Sequence, residues 1–598
     1  MTNLPDSFHS PATLRALIIT CLCVFAGACS VAPEKPESSA MVASGPAARK
    51  AGVEGKKIDV VDIAPVRPKI KLTGDLLYKI LLAEFAGQRG RLDLALKNYM
   101  DLARSTQDPK IVERATRIAV YARNDKAATE AAKMWEKLDP LNPDPQQVLA
   151  VMALRNGKME EALSHLQNIL KYSHGELDQK MWMIANLLSR EKNKDMIMTV
   201  MQRLVASRQD QPEALYAYAH VAARLGKLDK ARELLKRTLE LAPDNNSAAM
   251  SYIAILQRQN KTKAAINWLE KALKKKNSND FNLRLTYAQL LTDVKRYDDA
   301  RRQFEILAVQ APKNSDVLYA LGLLYLQDDR LDDARKYFKR LVKLDENTNA
   351  ANYYLGRIAE ERDNLKKAGM YYKAVQGGNT YFDAQVRLGL IIARQGYIKE
   401  ARKHLQSVHT EGMKQATILV QAEAELLMDQ KRYKDAMEVY NKALDKQGFN
   451  AELLYSRAML AEKMDRLDIL ERDLRRIIAK DPNHAQALNA LGYTLADRTH
   501  RYDEAYALIK RALKIDPNDY YILDSMGWVL YREGKLDKAE HYLRKALSLR
   551  KDPEIAAHLG EVLWVKGDKE GAKKVWNTAL QETPHDQKLQ DVIHRFNP

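Results

Sequence analysis

The sequence predicts an all-α superhelical solenoid of about fifteen helical hairpins, and three observations carry that prediction. First, hydrophobic residues are 46% of the chain but aromatic residues only 7%, with Ala and Leu supplying much of the apolar content. Both cost little backbone or rotamer entropy in a helix, whereas a sheet protein favours Val, Ile and Thr. Second, a small residue recurs at steps close to 34, as at Ala300, Ala334, Ala368, Ala401 and Ala436. Third, a companion small residue stands twelve positions before it, at Ala288, Gly322, Gly356, Gly389 and Ala424. Small residues at facing positions let two antiparallel helices approach while larger apolar side chains interlock around them. The paired spacing carries the information; a lone Gly or Ala carries almost none.

The chain starts with an address. Arg15 precedes an apolar run from Ala16 to Ala26. That run suits the core of a signal peptide and is short for a membrane-spanning helix, which needs about 20 apolar residues. It leads into Ala26-Gly27-Ala28-Cys29, which resembles a bacterial lipobox. A lipobox more often has Leu where this chain has Ala26, so an ordinary signal peptide is the alternative. Ser30, in place of Asp, resembles the pattern for outer-membrane sorting. The resemblance implies a signal peptide over 1–28, lipid on Cys29 and a position on the periplasmic face of the outer membrane.

Residues 29–71 then read as a lipidated cysteine and flexible tether. Ser30 to Lys57 is rich in Ala, Pro, Ser, Gly, Lys and Glu and cannot bury enough apolar surface to fold alone. All three cysteines, Cys21, Cys23 and Cys29, precede the tether, so the repeats have no disulfide and no thiol chemistry.

From 72 to 598 the hairpins run on to a C-terminal cap. The small residue of the second helix recurs from Ala95 through Ala131, Ala162, Ala231 and Ala265 to Ala505, Ala539 and Ala572, with Ile197 and Leu470 as missed members. The segment Asp519–Leu549 shows the grammar. Met526-Gly527-Trp528 and Leu530-Tyr531 belong to a first helix, Gly534 and Asp537 to the turn, and Ala539, Leu543 and Ala546 to the second helix. Pro143, Pro243, Pro312, Pro482, Pro517 and Pro584 fall where units join, where a missing backbone N–H is tolerated.

These features resemble the tetratricopeptide repeat across roughly residues 72–590. The resemblance implies a right-handed superhelix of stacked hairpins. The opening copy also resembles a narrower family of proteobacterial outer-membrane lipoproteins, through Asp75-Leu76-Leu77-Tyr78, Leu82-Ala83-Glu84-Phe85-Ala86, Gln88-Arg89-Gly90 and Asp108-Pro109. That family looks like the adaptor of a periplasmic carboxyl-terminal processing protease that acts on peptidoglycan hydrolases. It implies those two kinds of protein as partners, with the outer membrane reached through the lipid.

In this register the exposed face of the first helices carries Tyr216, Tyr353, Asp383, Tyr493, Tyr521, Trp528, Tyr531 and Trp564. Aromatic side chains bury area at low entropy cost, which makes these the candidate partner-binding residues. Core or neighbour-hairpin contact is the competing reading for each tyrosine.

Chemistry is a poor explanation for the chain. It has no His-Glu-x-x-His metal motif, Walker loop, GxGxxG unit or GxSxG elbow. His404 and His409, five residues apart, point in different helical directions and read as surface groups; Glu360 and Glu361 read as solvated charges. The expectation is a protein with no catalytic residues, metal or cofactor. The +18 net charge is spread through the chain, and export separates it from cytosolic nucleic acid, so no nucleic-acid role is expected. The alternative function is an assembly or secretion component for polysaccharide, pili or outer-membrane proteins. The oligomeric state is open.

Overall fold

The computed structural model describes residues 68–274 and 279–596. The signal segment 1–28, Cys29 and the tether as far as residue 67 lie outside the described residues. Among the described residues every regular element is a helix, and there is no strand. The helices fall into two compact units that part between Pro312 and Lys313.

The first unit holds seven hairpins. They are α1 (Gly74–Gln88) with α2 (Leu92–Thr106), α3 (Pro109–Tyr121) with α4 (Asp125–Leu138), and α5 (Pro143–Arg155) with α6 (Met159–Tyr172). Then come α7 (Leu177–Leu188) with α8 (Lys194–Val205), and α9 (Pro212–Arg224) with α10 (Leu228–Leu241). The unit closes with α11 (Asn246–Arg258) and α12 (Thr262–Lys274), and α13 (Phe281–Asp293) and α14 (Tyr297–Gln310).

The second unit holds eight more. They begin with α15 (Ser315–Gln327) and α16 (Leu331–Leu344), α17 (Thr348–Glu361) and α18 (Leu365–Lys373), and α19 (Tyr381–Arg394) and α20 (Ile398–Ser407). Next are α21 (Met413–Asp429) and α22 (Tyr433–Gln447), and α23 (Ala451–Lys463) and α24 (Leu467–Lys480). The last pairs are α25 (Ala485–Arg498) and α26 (Tyr502–Ile515), α27 (Tyr520–Arg532) and α28 (Leu536–Leu549), and α29 (Pro553–Lys566) and α30 (Lys569–Glu582). A single helix, α31 (Gln587–Phe596), ends the chain. The fold class is therefore the all-α solenoid of paired helices that the sequence predicts.

The hairpins form because each helix starts and stops where its backbone groups can be satisfied. Asn142, Asn245, Asn314 and Asp519 accept a hydrogen bond from a backbone N–H of the first turn they precede. Pro109, Pro143, Pro212 and Pro553 open helices, where a missing N–H costs nothing. The turn inside most hairpins uses a left-handed residue. Gly534 supplies it at φ 77°, and Asp329 does the same at φ 59°. Asp537, expected in that turn, instead lies in the first turn of α28, where a carboxylate faces the positive helix end.

The small residues do what the spacing implies. Ala95, Ala131, Ala300 and Ala334 are wholly buried, and so are Ile197 and Leu470 at the two positions where the pattern fails. In the second unit Ala424 and Ala458 hold two of the companion positions, and the others at this spacing are glycine because a ring or branched chain occupies the place of a side chain. A Cβ on Gly322 would lie 2.6 Å from the Phe338 ring, and one on Gly527 would lie 2.5 Å from Leu543. Gly356 faces Tyr372 and Gly560 faces Trp576 in the same way. Each such side chain is among the best buried of its unit, and burial of that size stabilises by about 1.5–3 kcal/mol.

Candidate functional site

Within the second unit the first helices carry a polar and aromatic layer along one face. Its centre is His558 on α29, whose Nδ1 lies 2.9 and 3.1 Å from the two carboxylate oxygens of Asp524 on α27. Trp528, one turn on from Asp524, stacks on the imidazole at 4.2 Å and donates its indole N–H to Asp497 of α25 at 3.2 Å. Tyr493 of α25 closes the other side, with ring centroids 6.2 Å apart. Burial lowers the imidazole pKa, but the facing Asp524 carboxylate prevails and holds it above its ordinary value. Burial and the Asp524 and Asp497 carboxylates raise the Tyr493 phenol well above its ordinary value.

The layer continues towards the chain end. Tyr531 donates to Glu561 at 3.0 Å, and burial together with that carboxylate pushes its phenol to about 12. Glu561 also takes the Arg595 guanidinium of α31. Trp564 stacks on Trp576 at 5.8 Å, and Phe596 covers both rings, so α31 caps the last hairpin.

A second network lies at α17 to α19. Tyr353 donates to Asp383, and Arg357 donates to the Tyr353 oxygen at 3.1 Å. Arg387, with its side chain 2% exposed, bridges Asp383 and Glu360 at 3.1 Å each, and Tyr372 donates to Glu360 at 2.6 Å. Burial raises the Tyr353 phenol to about 12, and Asp383 adds to the rise. In the first unit Tyr216 stacks on Trp182 at 5.8 Å and meets Ser251 at 3.3 Å, and His220 lies 4.4 Å from the same indole.

This geometry corrects the sequence register. Tyr353 and Trp528 are 4% and 7% exposed, and Tyr216, Asp383, Tyr493, Tyr521, Tyr531 and Trp564 are half-buried. Most of these side chains reach a neighbouring first helix one hairpin away, so the face expected in solvent is largely spent on joining hairpins. Glu360, expected as a solvated charge, is the acceptor of a buried network for the same reason. His404, expected at the surface, is half-buried and bonds the Gln385 carbonyl at 3.0 Å. Among the described residues no group of three His, Cys, Asp or Glu is placed to hold a metal, and no helix is long and apolar enough to cross a membrane.

The surface that remains open is elsewhere. On α1, Leu77, Tyr78, Leu81 and Phe85 are 45%, 63%, 47% and 56% exposed. Spacings of four place Leu77, Leu81 and Phe85 in one stripe. They turn away from Ala83 and Ala86, which face α2. Within the first unit every later first helix has a preceding hairpin on this side, and no described helix precedes α1. Spacing within the hairpin does not reveal that Leu77, Tyr78 and Phe85 are exposed. The available signal is a first helix that opens the array with more apolar residues than its own hairpin covers.

Hairpins that stack by exchanging side chains between first helices, with an apolar face left open at one end, define a repeat scaffold for protein–protein interaction. Residues 286–348, 325–381, 455–520 and 525–586 match the tetratricopeptide repeat family, and residues 121–315 match the family of tetratricopeptide repeat protein 21 N-terminal ARM repeats. Over 497 residues the chain is 37% identical to TPR repeat-containing protein PA4667 of Pseudomonas aeruginosa, covering 81% of this chain and 82% of that one. The chain belongs to this family of bacterial tetratricopeptide repeat proteins. It is similar to two solved structures, yeast Tom70 (15% identity, 76% of this chain and 94% of that one, TM-score 0.32) and TTC0263 of Thermus thermophilus (23%, 29% and 95%, TM-score 0.27).

Proposed function

We propose that the protein is a non-enzymatic adaptor, held at the periplasmic face of the outer membrane by lipid on Cys29. It brings a carboxyl-terminal processing protease together with peptidoglycan hydrolases. The observation that carries this reading is the open stripe of Leu77, Tyr78, Leu81 and Phe85 on α1. Its residues lie in the segment that resembles the lipoprotein adaptors, and an apolar helix face of this kind suits an amphipathic helix of the protease. The half-buried tyrosines and Trp564 of the second unit offer a separate surface for the hydrolase. Two surfaces on one chain raise the effective concentration of one partner near the other without adding a chemical group.

Co-purification from detergent-solubilised envelopes tests the proposal. The intact protein is expected to recover a periplasmic protease and cell-wall hydrolases together. A Leu77→Ser, Leu81→Ser, Phe85→Ser variant is expected to lose the protease and keep the hydrolases. Selective recovery of a secretion, pilus or polysaccharide machine, the other reading of this sequence, would replace the adaptor with an assembly role.

A further inference from the structure

The second helices of one stretch carry an unbalanced charge. Together α16, α18 and α20 hold eleven basic residues and three acidic ones. On α24, α26, α28 and α30 the same comparison is thirteen to nine, and their carboxylates Glu471, Glu504 and Glu540 hold Arg475, Arg501, Arg544 and Lys566 in ion pairs. Two of the three acids in the basic stretch are already engaged. Asp332 holds Arg335 and Arg362 at 2.8 and 2.9 Å, and Asp333 holds Arg330 at 2.5 Å.

The lysines are left over. Lys336, Lys339 and Lys343 on α16 and Lys366, Lys367 and Lys373 on α18 are all exposed, and none has an ion-pair partner among the described residues. Lys399 and Lys403 continue the set on α20. At 3.6 residues per turn, the three lysines of α16 lie about 140–200° round the helix from buried Ala334, so they point directly away from the core. Lys366 and Lys373 stand in the same relation to buried Ala368. α16 packs on α17, and α18 on α19, so the three outer faces are successive rungs of one stack within the second unit.

Three properties select the partner. Eight of the eleven basic residues are lysines, compact flexible charges suited to a diffuse negative plane and less suited to forked recognition of single phosphates. The lysines stand on the outer sides of their helices, turned away from the buried Ala334 and Ala368 faces. Met370, 58% exposed, lies among Lys366, Lys367 and Lys373 and, like them, away from buried Ala368. An apolar chain between ammonium groups matches the boundary between headgroups and acyl chains.

We propose that the outer face of α16, α18 and α20 lies against an anionic phospholipid bilayer. The contact is separate from any lipid on Cys29 and from the adaptor role. An anchor fixes one end of the chain near a membrane, whereas this face sets which side of the second unit meets it.

The test uses the full chain with Cys29→Ser, so that no acyl chain contributes. It is floated with phosphatidylcholine vesicles that contain or lack phosphatidylglycerol. Flotation is expected only with phosphatidylglycerol and is reversed by salt. A Lys336→Glu, Lys339→Glu, Lys366→Glu, Lys373→Glu variant is expected to bind more than about tenfold more weakly. A control with Lys434→Glu, Lys446→Glu, Lys514→Glu and Lys538→Glu has the same net charge on other second helices and is expected to float like the parent. Circular dichroism checks that both variants keep their helices. Equal loss in the two variants would reduce the effect to bulk charge and overturn the proposal, as would flotation without phosphatidylglycerol dependence. It also fails if the parent ignores vesicles but binds RNA or polyglutamate through these lysines, since the partner is then a soluble polyanion.

Discussion

In the unit that ends at Pro312, the single Asp, Glu, Lys, Arg or His under a tenth exposed among the described residues is Asp108, which caps α3. The unit from Lys313 buries Arg357, Arg387, Glu423, Arg457, Asp473 and Asp524, with His558 and Glu561. The units also differ in how their helices meet. Ala83, Ala119, Ala150 and Ala219 fill the companion position of the first unit, where the second keeps Ala424 and Ala458 but uses glycine at Gly322, Gly356, Gly389, Gly527 and Gly560. The first unit thus stacks by apolar shape, which tolerates small shifts between hairpins. The second stacks by charge pairs and ring-filled gaps that accept one register. Such pairs specify an arrangement more than they stabilise it, because each charge gives up its hydration on burial.

The contrast makes testable demands, the largest at Asp473. This carboxylate is fully buried and takes Arg457 through two bonds of 2.7 and 2.8 Å. Asp473→Ala strands a buried guanidinium and is expected to destabilise the second unit by about 3–5 kcal/mol in chemical denaturation. A loss below about 1 kcal/mol would mean that water reaches Arg457 and that the unit is no more exacting than its neighbour.

Next come the glycines. Gly560→Ala drives a methyl group into the Trp576 indole and is expected to cost about 1–3 kcal/mol, with a shift in tryptophan emission. Ala150→Gly in the first unit creates no clash. Helix propensity and the loss of one buried methyl group set its cost near 1–2 kcal/mol.

The smallest effect is a pH dependence of opposite sign in the two units. His558 has a folded pKa above the ordinary 6.5. Its contribution is complete below that value and is lost as the pH rises through the folded pKa. Burial holds His165 and His220 below 6.5, so theirs is present above it and is lost as the pH falls through the folded values. Hydrogen exchange, corrected for intrinsic rates, is expected to show the first unit gaining and the second losing stability as pH rises through neutrality. His558→Gln should flatten only the second trend, and a parallel trend in both units would remove the histidines as its cause.

The hairpins were legible because small-residue pairs are a direct demand of close helix contact, as the spaces filled by Phe338 and Trp576 show. Ile197 and Leu470 break the rule without breaking the fold, since a hairpin also holds through its larger apolar residues. The candidate site was only half legible. The register located Tyr353, Trp528 and Tyr531 on the correct helices, but their burial depends on how far the next hairpin comes over, which no spacing within a hairpin encodes. The same is true of Glu360, whose partners Tyr372 and Arg387 stand twelve and twenty-seven residues away. On α1 the same dependence runs the other way, since Leu77, Leu81 and Phe85 have the spacing of a buried stripe and are exposed where no described helix precedes them.

The uncovered face has a consequence for recognition. Among the described residues α31 packs on the last hairpin, and no helix is laid over the outer face of α1. A helix that docks on Leu77, Leu81 and Phe85 therefore continues the array, so that a visiting protein becomes for a time its next repeat. Its angle and depth would follow from the stacking step of the hairpins, and any sequence able to imitate one repeat face would be a candidate guest.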